Sequence, residues 1–417
     1  MAIEILDPGS FTTVQDLGRT DYQKYGIPPS GAIDPYSLQV ANLLVGNERG
    51  EAALEATISG PTVEFREETW FAVTGPGWVP RLNDAEIPPW RSVRAESGDR
   101  LSFDEVDEGA RAYVAVAGGI DVPSILGSKS TNVRAELGGF EGRALQAGDV
   151  LEVGEGATPA PQEVPERYRP DPYFDDVRVV LGPQDDHFTD AGIETFLDAT
   201  FTVKSESDRM GIRFDGPAIE HSKGADIVSE GTAAGAVQVP ENGQPIALLG
   251  DRQTTGGYAK IATVIEADLT TLAQMRPADE ASFREVSLET AYDARERQLE
   301  DLSEMERLLS EEALIADEPI EREAEAAESE PTETGTEAAE SEPTATESWV
   351  TATMPGEILT IHASEGDEVE AGDDLIVYEA MKMENVLTSP SDGVVASVEA
   401  EEGDSVNKGT KLLSVRQ

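Results

Sequence analysis

An internal repeat near the C-terminus limits the fold more than any other feature of this chain. Gly356, Gly366, Asp367, Val369 and Gly372 recur 37 residues later as Gly393, Gly403, Asp404, Val406 and Gly409, and Lys382 lies between the two sets. Each half alternates apolar and polar residues, as in Glu357-Ile358-Leu359-Thr360-Ile361 and Val394-Val395-Ala396-Ser397-Val398, the mark of strands with one buried face. Glu-Gly-Asp turns interrupt the strands, with glycine supplying the positive φ that such turns need. Residues 349–417 are therefore expected to form a flattened β-barrel of hammerhead type: two matched half-sheets joined by one hairpin, with Lys382 at its exposed turn.

Around that turn runs Glu379-Ala380-Met381-Lys382-Met383-Glu384-Asn385, in which two flexible, soft methionines flank an amine that a modifying enzyme must reach. Together with Met354-Pro355-Gly356, this segment resembles the biotinyl domain of biotin-dependent carboxylases. The resemblance implies biotin attached covalently to Lys382 by a biotin protein ligase, with Met381 and Met383 beside the cofactor. Lipoyl domains share the fold but usually carry Asp-Lys-Ala or a similar tripeptide, so the two methionines favour biotin over lipoate.

Charge sets the surroundings. The chain has 83 acidic and 31 basic residues, a net charge of −52, which makes the compact state repel itself unless salt screens it. Residues 311–348 hold 14 Asp or Glu and one Arg, a net of −13, which leaves −39 elsewhere. The acidity is global, the pattern expected of a halophile and in particular of a haloarchaeal protein. Nucleic acid and anionic membrane would be repelled and are not expected as partners.

Cysteine is absent and histidine occurs only at His187, His221 and His362, so thiol catalysis is excluded and neither disulfides nor a metal site is expected. Met1 to Gly9 lacks the basic start and apolar run of a signal peptide, and no stretch reaches the ~18 apolar residues of a membrane helix. These features point to a soluble, cytoplasmic protein.

At 417 residues, roughly 150 per domain predicts two or three domains. Residues 1–160 and 170–290 are rich in glycine, proline and short β-branched runs, which predicts β-barrels or sandwiches. The proline cluster from Ala157 to Pro161, followed by Pro165 and Pro170, marks their join. Residues 287–314 place Leu288, Tyr292, Leu299, Leu302, Met305, Leu308 and Leu309 at helical spacing, a helix that can pack against the second domain or a partner. Residues 316–348 repeat Ala-Ala-Glu-Ser-Glu-Pro-Thr with almost no large apolar side chain, which predicts a disordered acidic linker, either a swinging tether or a spacer.

No complete nucleotide-binding or nucleophile-elbow motif occurs in the first 300 residues. Gly127-Ser128-Lys129-Ser130 resembles part of a phosphate loop, but Val122 stands where its first glycine belongs. Dense polar-glycine clusters stand out instead: Thr13-Val14-Gln15-Asp16-Leu17-Gly18-Arg19, Tyr25 to Asp34, Ser207-Asp208-Arg209-Met210-Gly211, Gly235 to Pro240, and Asp251-Arg252-Gln253-Thr254-Thr255-Gly256-Gly257-Tyr258. Such residues are costly in a core and natural in a cleft.

These clusters, with Gly138-Gly139-Phe140-Glu141-Gly142-Arg143 and the residues up to Asp149, resemble the biotin-dependent carboxyltransferase A/B family. That family includes allophanate hydrolase subunit 2, the carboxyltransferase region of urea amidolyase-related enzymes and the C subunit of 5-oxoprolinase. The resemblance implies a mainly β chain: two cyclophilin-like β-barrel domains, then the helix, the linker and the biotinyl domain. It also implies a first-subunit-type (C/D family) partner that completes the carboxyltransferase, a biotin carboxylase subunit that loads Lys382, and ATP used only through a partner.

Carboxyl transfer from carboxybiotin to a small-molecule acceptor needs donors aimed at the ureido oxygen and a base or orienting group for the acceptor. Arg19, Arg209 and Arg252 can supply fixed positive charge, and Gln253, Thr254 and Thr255 neutral hydrogen bonds. Lys260 can act as a base only where desolvation lowers its pKa. Gly256 and Gly257 allow close approach of backbone to ligand. Equally, Arg19 can pair with Asp16 and Arg252 with Asp251. Three functions remain open: carboxyl transfer to a small amide-like acceptor such as urea, one subunit of an ATP-dependent 5-oxoprolinase, or a regulatory subunit that binds a first-subunit-type partner. The fused biotin domain favours the first.

Overall fold

The computed structural model describes residues 1–104, 108–156, 162–170 and 176–311, and, nearer the C-terminus, 347–351, 356–363, 367–369, 373–380, 383–389, 392–398, 405–406 and 411–416. The expected join at 157–161 and residues 316–346 of the expected linker lie outside the described residues. The chain divides into two compact units, Met1–Ala324 and Glu325–Gln417.

In the first part of the larger unit, residues 1–153, two antiparallel sheets enclose one core. One sheet orders its strands Val150–Glu152, Ala2–Asp7, Thr62–Phe65, Arg100–Phe103, Pro80–Leu82 and Ala85–Glu86; the other orders Phe11–Gln15, Ala53–Thr57, Arg111–Val116, Thr69–Thr74 and Ser92–Ala95. Alternation decides which side chains face inward: Leu54, Val114 and Val116 join Ile3, Ile5, Val63 and Phe71 in this core. The intervening Ala53, Tyr113 and Ala115 face the other way, where the small alanines leave room for helix α1, Pro35–Leu44. Asp34 starts α1 by accepting from the Ser37 amide at 3.1 Å, with Pro35 at the first helical position.

Residues 177–285 form the second half around an eight-stranded sheet, Glu280–Ala281, Phe201–Val203, Gly211–Asp215, Ile246–Leu248, Ala236–Gln238, Lys260–Val264, Val177–Leu181 and Phe283–Glu285. Its two edge strands are consecutive in the chain, separated only by Ser282, so the sheet curls into a nearly closed barrel. Phe196, Phe201, Phe214 and Phe283 fill the barrel, with Phe196 and Phe283 stacked at 4.5 Å. Helices α2, Asp190–Asp198, and α3, Leu269–Gln274, belong to this half, as does a separate hairpin of Asp226–Gly231 with Thr255–Tyr258.

Helix α4, Leu288–Glu311, does not rest on the second half alone, as one sequence expectation had it. Leu302, Met305 and Leu309 are buried against α1 and its neighbours in the first half, whereas Leu288, Tyr292 and Leu299 remain exposed. Arg295 pairs with Glu266 of the second half at 2.7 Å, and Arg49 of the first half pairs with Glu306, so the helix straps both halves together.

Among its described residues the C-terminal unit holds two four-stranded antiparallel sheets. The repeat is interleaved: Gly356–Ile361 pairs with the short strand Ser405–Val406 of the other half, and Gly393–Val398 pairs with Glu368–Val369. Each half thus completes the sheet of its counterpart around Ile358, Leu375, Ile376, Val395 and Leu413. Asp374–Ala380 and Met383–Thr388 form the connecting hairpin, with Ala380 opposite Met383. Met381 and Lys382 lie outside the described residues.

Candidate active site

Two glycine loops cross where the halves of the larger unit meet. The Arg19 amide donates to Pro29 O at 2.8 Å, Ala32 N to Asp16 O at 2.8 Å, and Ser30 N to Gly250 O of the second half at 3.1 Å. Gly18, at φ +87°, permits the crossing, since a Cβ there would lie 2.8 Å from Pro29 O. Behind it, the Asp16 carboxylate accepts from Gly18 N (2.7 Å), Ser128 Oγ (2.7 Å) and Lys129 N (2.6 Å). Lys129 itself pairs with Glu51 at 2.7 Å. The Gly127–Ser130 segment is thereby tied to a carboxylate within the fold, which is a structural use of its donors.

Beside this crossing opens a cleft of about 820 Å³, lined from both halves and from α4. Leu17, Val180, Leu181, Leu249, Ile265 and Leu269 supply apolar wall; Thr20, Gln23, Ser30 and Arg252 supply polar groups. Leu288, Ala291, Tyr292 and Arg295 of α4 close one side, which accounts for the exposed end of the helix stripe. An apolar cleft of this size with few polar groups suits a small molecule.

The seven polar residues expected at the site separate into distinct environments. Arg252 lines the cleft, buried to 6 % exposure, its Nε donating to Thr232 O at 3.4 Å and its Nη1 to Leu249 O at 3.1 Å. Burial lowers its pKa. The alternative pairing with Asp251 does not form, because Asp251 accepts from Arg209 Nε at 3.0 Å.

Arg209 is a cross-brace and not a free cation. It pairs with Asp251 and with Glu55 of the first half, and donates to Gly31 O at 2.7 Å. Burial by itself lowers the Arg209 pKa, but the Asp251 and Glu55 carboxylates outweigh it and hold the guanidinium above its ordinary value. Arg19 is also internal, bonded to the carbonyls of Ser130 and of Ile125 (3.4 Å), and does not ion-pair with Asp16. Burial lowers its pKa, with the more distant Asp16 and Asp251 opposing. Arg19 and Arg209 therefore do not fit the expected role of charge presented to a ligand.

Lys260 has a partner: its Nζ lies 2.7 Å from Glu230 Oε1, and this contact holds the Glu230 carboxyl below its usual range. Gln253 donates to Gln238 Oε1 at 3.2 Å, and Thr254 O accepts from Thr232 N at 3.1 Å. Thr255 is exposed on the hairpin. A Cβ at Gly256 would meet Gln238 Nε2 at 2.4 Å, and one at Gly257 would lie 3.3 Å from Ser229 Oγ. Gln253, Thr254, Thr255, Gly256, Gly257 and Lys260 thus gather on and beside the hairpin, and none of them is among the residues that line the cleft. Arg143, within the second glycine cluster, is held by Asp149 at 2.7 and 2.9 Å and closes a turn.

Sequence reasoning missed Glu55 and Tyr113. The Glu55 carboxylate receives Ile33 N at 2.9 Å and Tyr113 Oη at 2.7 Å as well as Arg209. The signal was an acid inside the apolar run Ala52-Ala53-Leu54-Glu55-Ala56, since a charge is buried only with partners.

A barrel-based unit with a cleft between its halves is followed in the chain by a small interleaved-repeat unit, and family matches assign the first to carboxyl transfer and the second to a carrier. Residues 25–285 match the family described as carboxyltransferase domain, subdomain A and B, and residues 348–415 match the biotin-requiring enzyme family. The chain belongs to the carboxyltransferase A and B family and is a biotin-dependent enzyme subunit with a biotinyl domain. It is 40 % identical over 297 residues to the C subunit of 5-oxoprolinase from Escherichia coli (strain K12), covering 71 % of this chain and 95 % of that protein. It is 34 % identical over 324 residues to the urea amidolyase of Lachancea kluyveri, covering 71 % of this chain but 18 % of that much longer protein. The crystal structure of the K. lactis urea amidolyase superposes with a TM-score of 0.69 at 34 % identity, over 76 % of this chain and 20 % of that one. The K. lactis urea carboxylase shares the fold at 20 % identity, with a TM-score of 0.72 over 99 % of this chain and 66 % of that one. Among the described residues no helix is long and apolar enough to cross a membrane.

Proposed function

We propose that this chain is the carboxyltransferase and carrier subunit of a multi-subunit biotin-dependent carboxylase, acting on a small amide- or urea-like acceptor held in the 820 Å³ cleft. One observation carries the reading: a carboxyltransferase fold and a biotinyl fold occupy one chain, and hydrolysis of a lactam at the expense of ATP needs no carrier. In this reading residues 1–160 and 170–290 are the two transferase domains, 316–348 the tether and 349–417 the carrier.

The strands on either side of Met381 and Lys382 pair directly, Ala380 with Met383, which suits a lysine offered to a ligase at a hairpin connection. Biotin bound there supplies a mobile attachment for a carboxyl group. The chain's own residues do the rest: Leu17, Val180, Leu181 and Leu269 exclude water from the cleft, and Thr20, Gln23 and Ser30 orient the acceptor. A C/D-type partner completes the transferase, and a biotin carboxylase using ATP loads the carrier.

Intact mass with peptide mapping of protein from its own host, joined to a transfer assay with its co-purified subunits, tests the reading. A biotin-sized increment on Lys382, with both biotin and transfer lost in Lys382→Ala, is the expected result. An unmodified Lys382 in a biotin-replete host, with ATP-dependent lactam hydrolysis by the same complex, would replace it with the 5-oxoprolinase reading.

A further inference from the structure

Among the described residues, three charged side chains line the cleft: Arg252, Glu266 and Arg295. Glu266 and Arg295 pair with each other at 2.7 Å at the exposed side, so the net charge offered inside is that of Arg252. Its Nε and Nη1 rest on neutral carbonyls, those of Thr232 and Leu249, and Nη2 has no acceptor among the described residues. Burying an arginine without an acid is costly, and in a chain of 83 acids and 31 bases an acid could readily have been placed there. The nearest in sequence, Asp251, is turned to Arg209 instead. Arg19 is the contrast: it too lacks an ion pair, but it lies within the crossing of the loops and lines no part of the cleft.

Two carbonyls fix the plane of the Arg252 guanidinium, and its remaining N–H groups form a fork whose geometry matches a planar carboxylate. We propose that Arg252 is the recognition residue for a carboxylate on the ligand of this cleft. The proposal rests on the cleft being the substrate site. The carboxylate has two sources, the acceptor's own acid group or the carboxyl group in transit, and Arg252 serves either by the same bonds.

Calorimetric titration of the full chain at fixed ionic strength separates them, using pyrrolidin-2-one against its 5-carboxylate, propionamide against succinamate, and bicarbonate alone. Charge-assisted pairing predicts that an acid binds about ten- to a hundredfold more tightly than its neutral counterpart, with the gap erased in Arg252→Gln and partly kept in Arg252→Lys. That outcome assigns the carboxylate to the acceptor. Bicarbonate binding lost in Arg252→Gln, with no gap between the paired amides, assigns it to the carboxyl group in transit. Equal binding of acid and neutral amides together with no bicarbonate binding overturns the proposal on the wild-type protein alone, however the variants fold. Biotinylation of Lys382 is scored separately by mass, so failure of the carrier reading is not confused with failure at Arg252.

Discussion

Arg209 and Glu55 form an ion pair across the junction of the two halves, with the Glu55 side chain fully buried and that of Arg209 8 % exposed. The pair is one link of a longer chain of contacts. Glu55 also receives Tyr113 Oη and Ile33 N, Tyr113 Oη receives Asp34 N at 2.8 Å, and Asp34 accepts from Gln274 of the second half at 2.9 Å. Every member meets a partner from another element, so the relative placement of the halves, and hence the cleft, is fixed by polar contacts as well as by α4.

Removing one partner of such a pair leaves a buried charge uncompensated. Glu55→Ala is expected to destabilise the larger unit by about 3–5 kcal/mol, because Arg209, Tyr113 and Ile33 all lose an acceptor. Guanidinium unfolding followed by tryptophan fluorescence measures this. A loss under about 1 kcal/mol would mean that the junction is held by packing alone.

The crossing of the glycine loops predicts a backbone effect. Gly18→Ala puts a Cβ 2.8 Å from Pro29 O at a φ of +87°, and should cost about 1–3 kcal/mol. Gly98→Ala is the control for φ alone, since at φ +89° its Cβ would meet nothing within 4 Å. Equal urea midpoints for the two variants would show that the contact with Pro29 contributes nothing.

Much of this architecture was legible because it is local. Period-two alternation and turn glycines announce the strands of the C-terminal unit, and the leucine spacing of 288–309 announces α4. The interleaving of Gly356–Ile361 with Ser405–Val406 was not legible, since pairing within a half and pairing between halves leave the same pattern in sequence. The partners of the arginines were hidden for a related reason. Arg252 adjoins Asp251 in the chain, yet neighbouring side chains diverge, and Asp251 meets Arg209, 42 residues away. Residue type disclosed that charge is buried here; tertiary contact alone decided that Arg252, and not Arg19 or Arg209, lines the cleft.

Lys260 gives a kinetic prediction. Its pairing with Glu230 assigns it to the hairpin base, so Lys260→Met should lower stability while leaving the pH dependence of kcat/KM unchanged in shape. Loss of a limb of that profile in the variant, with the fold intact by circular dichroism, would return the base role to Lys260.

Asp149 gives an acid-limb prediction. Its hydrogen bonds from Arg143 hold the carboxyl below the usual range, against the opposing effect of partial burial. A folded pKa below the unfolded value of about 3.9 means that the pair's stabilisation is complete above that value and is lost as pH falls through the folded pKa. The difference in urea midpoint between wild type and Asp149→Asn should therefore be constant from about pH 7 to about pH 5 and shrink at lower pH. A difference that persists undiminished at pH 2 would assign the effect to shape and not to charge.

The net charge of −39 outside residues 311–348 yields the last prediction. Raising salt from about 0.1 M to about 1 M shortens the screening length from about 10 Å to about 3 Å, which removes repulsion between like charges spread over the surface while sparing buried pairs such as Arg209 with Glu55. Like-charge repulsion penalises the compact state more than the expanded one, so Tm should rise steadily over this range. Sodium and potassium chloride should act alike, because screening depends on ionic strength and not on the identity of the cation. A Tm that is flat with salt would show that the acidic surface is spaced widely enough to carry its charge without screening.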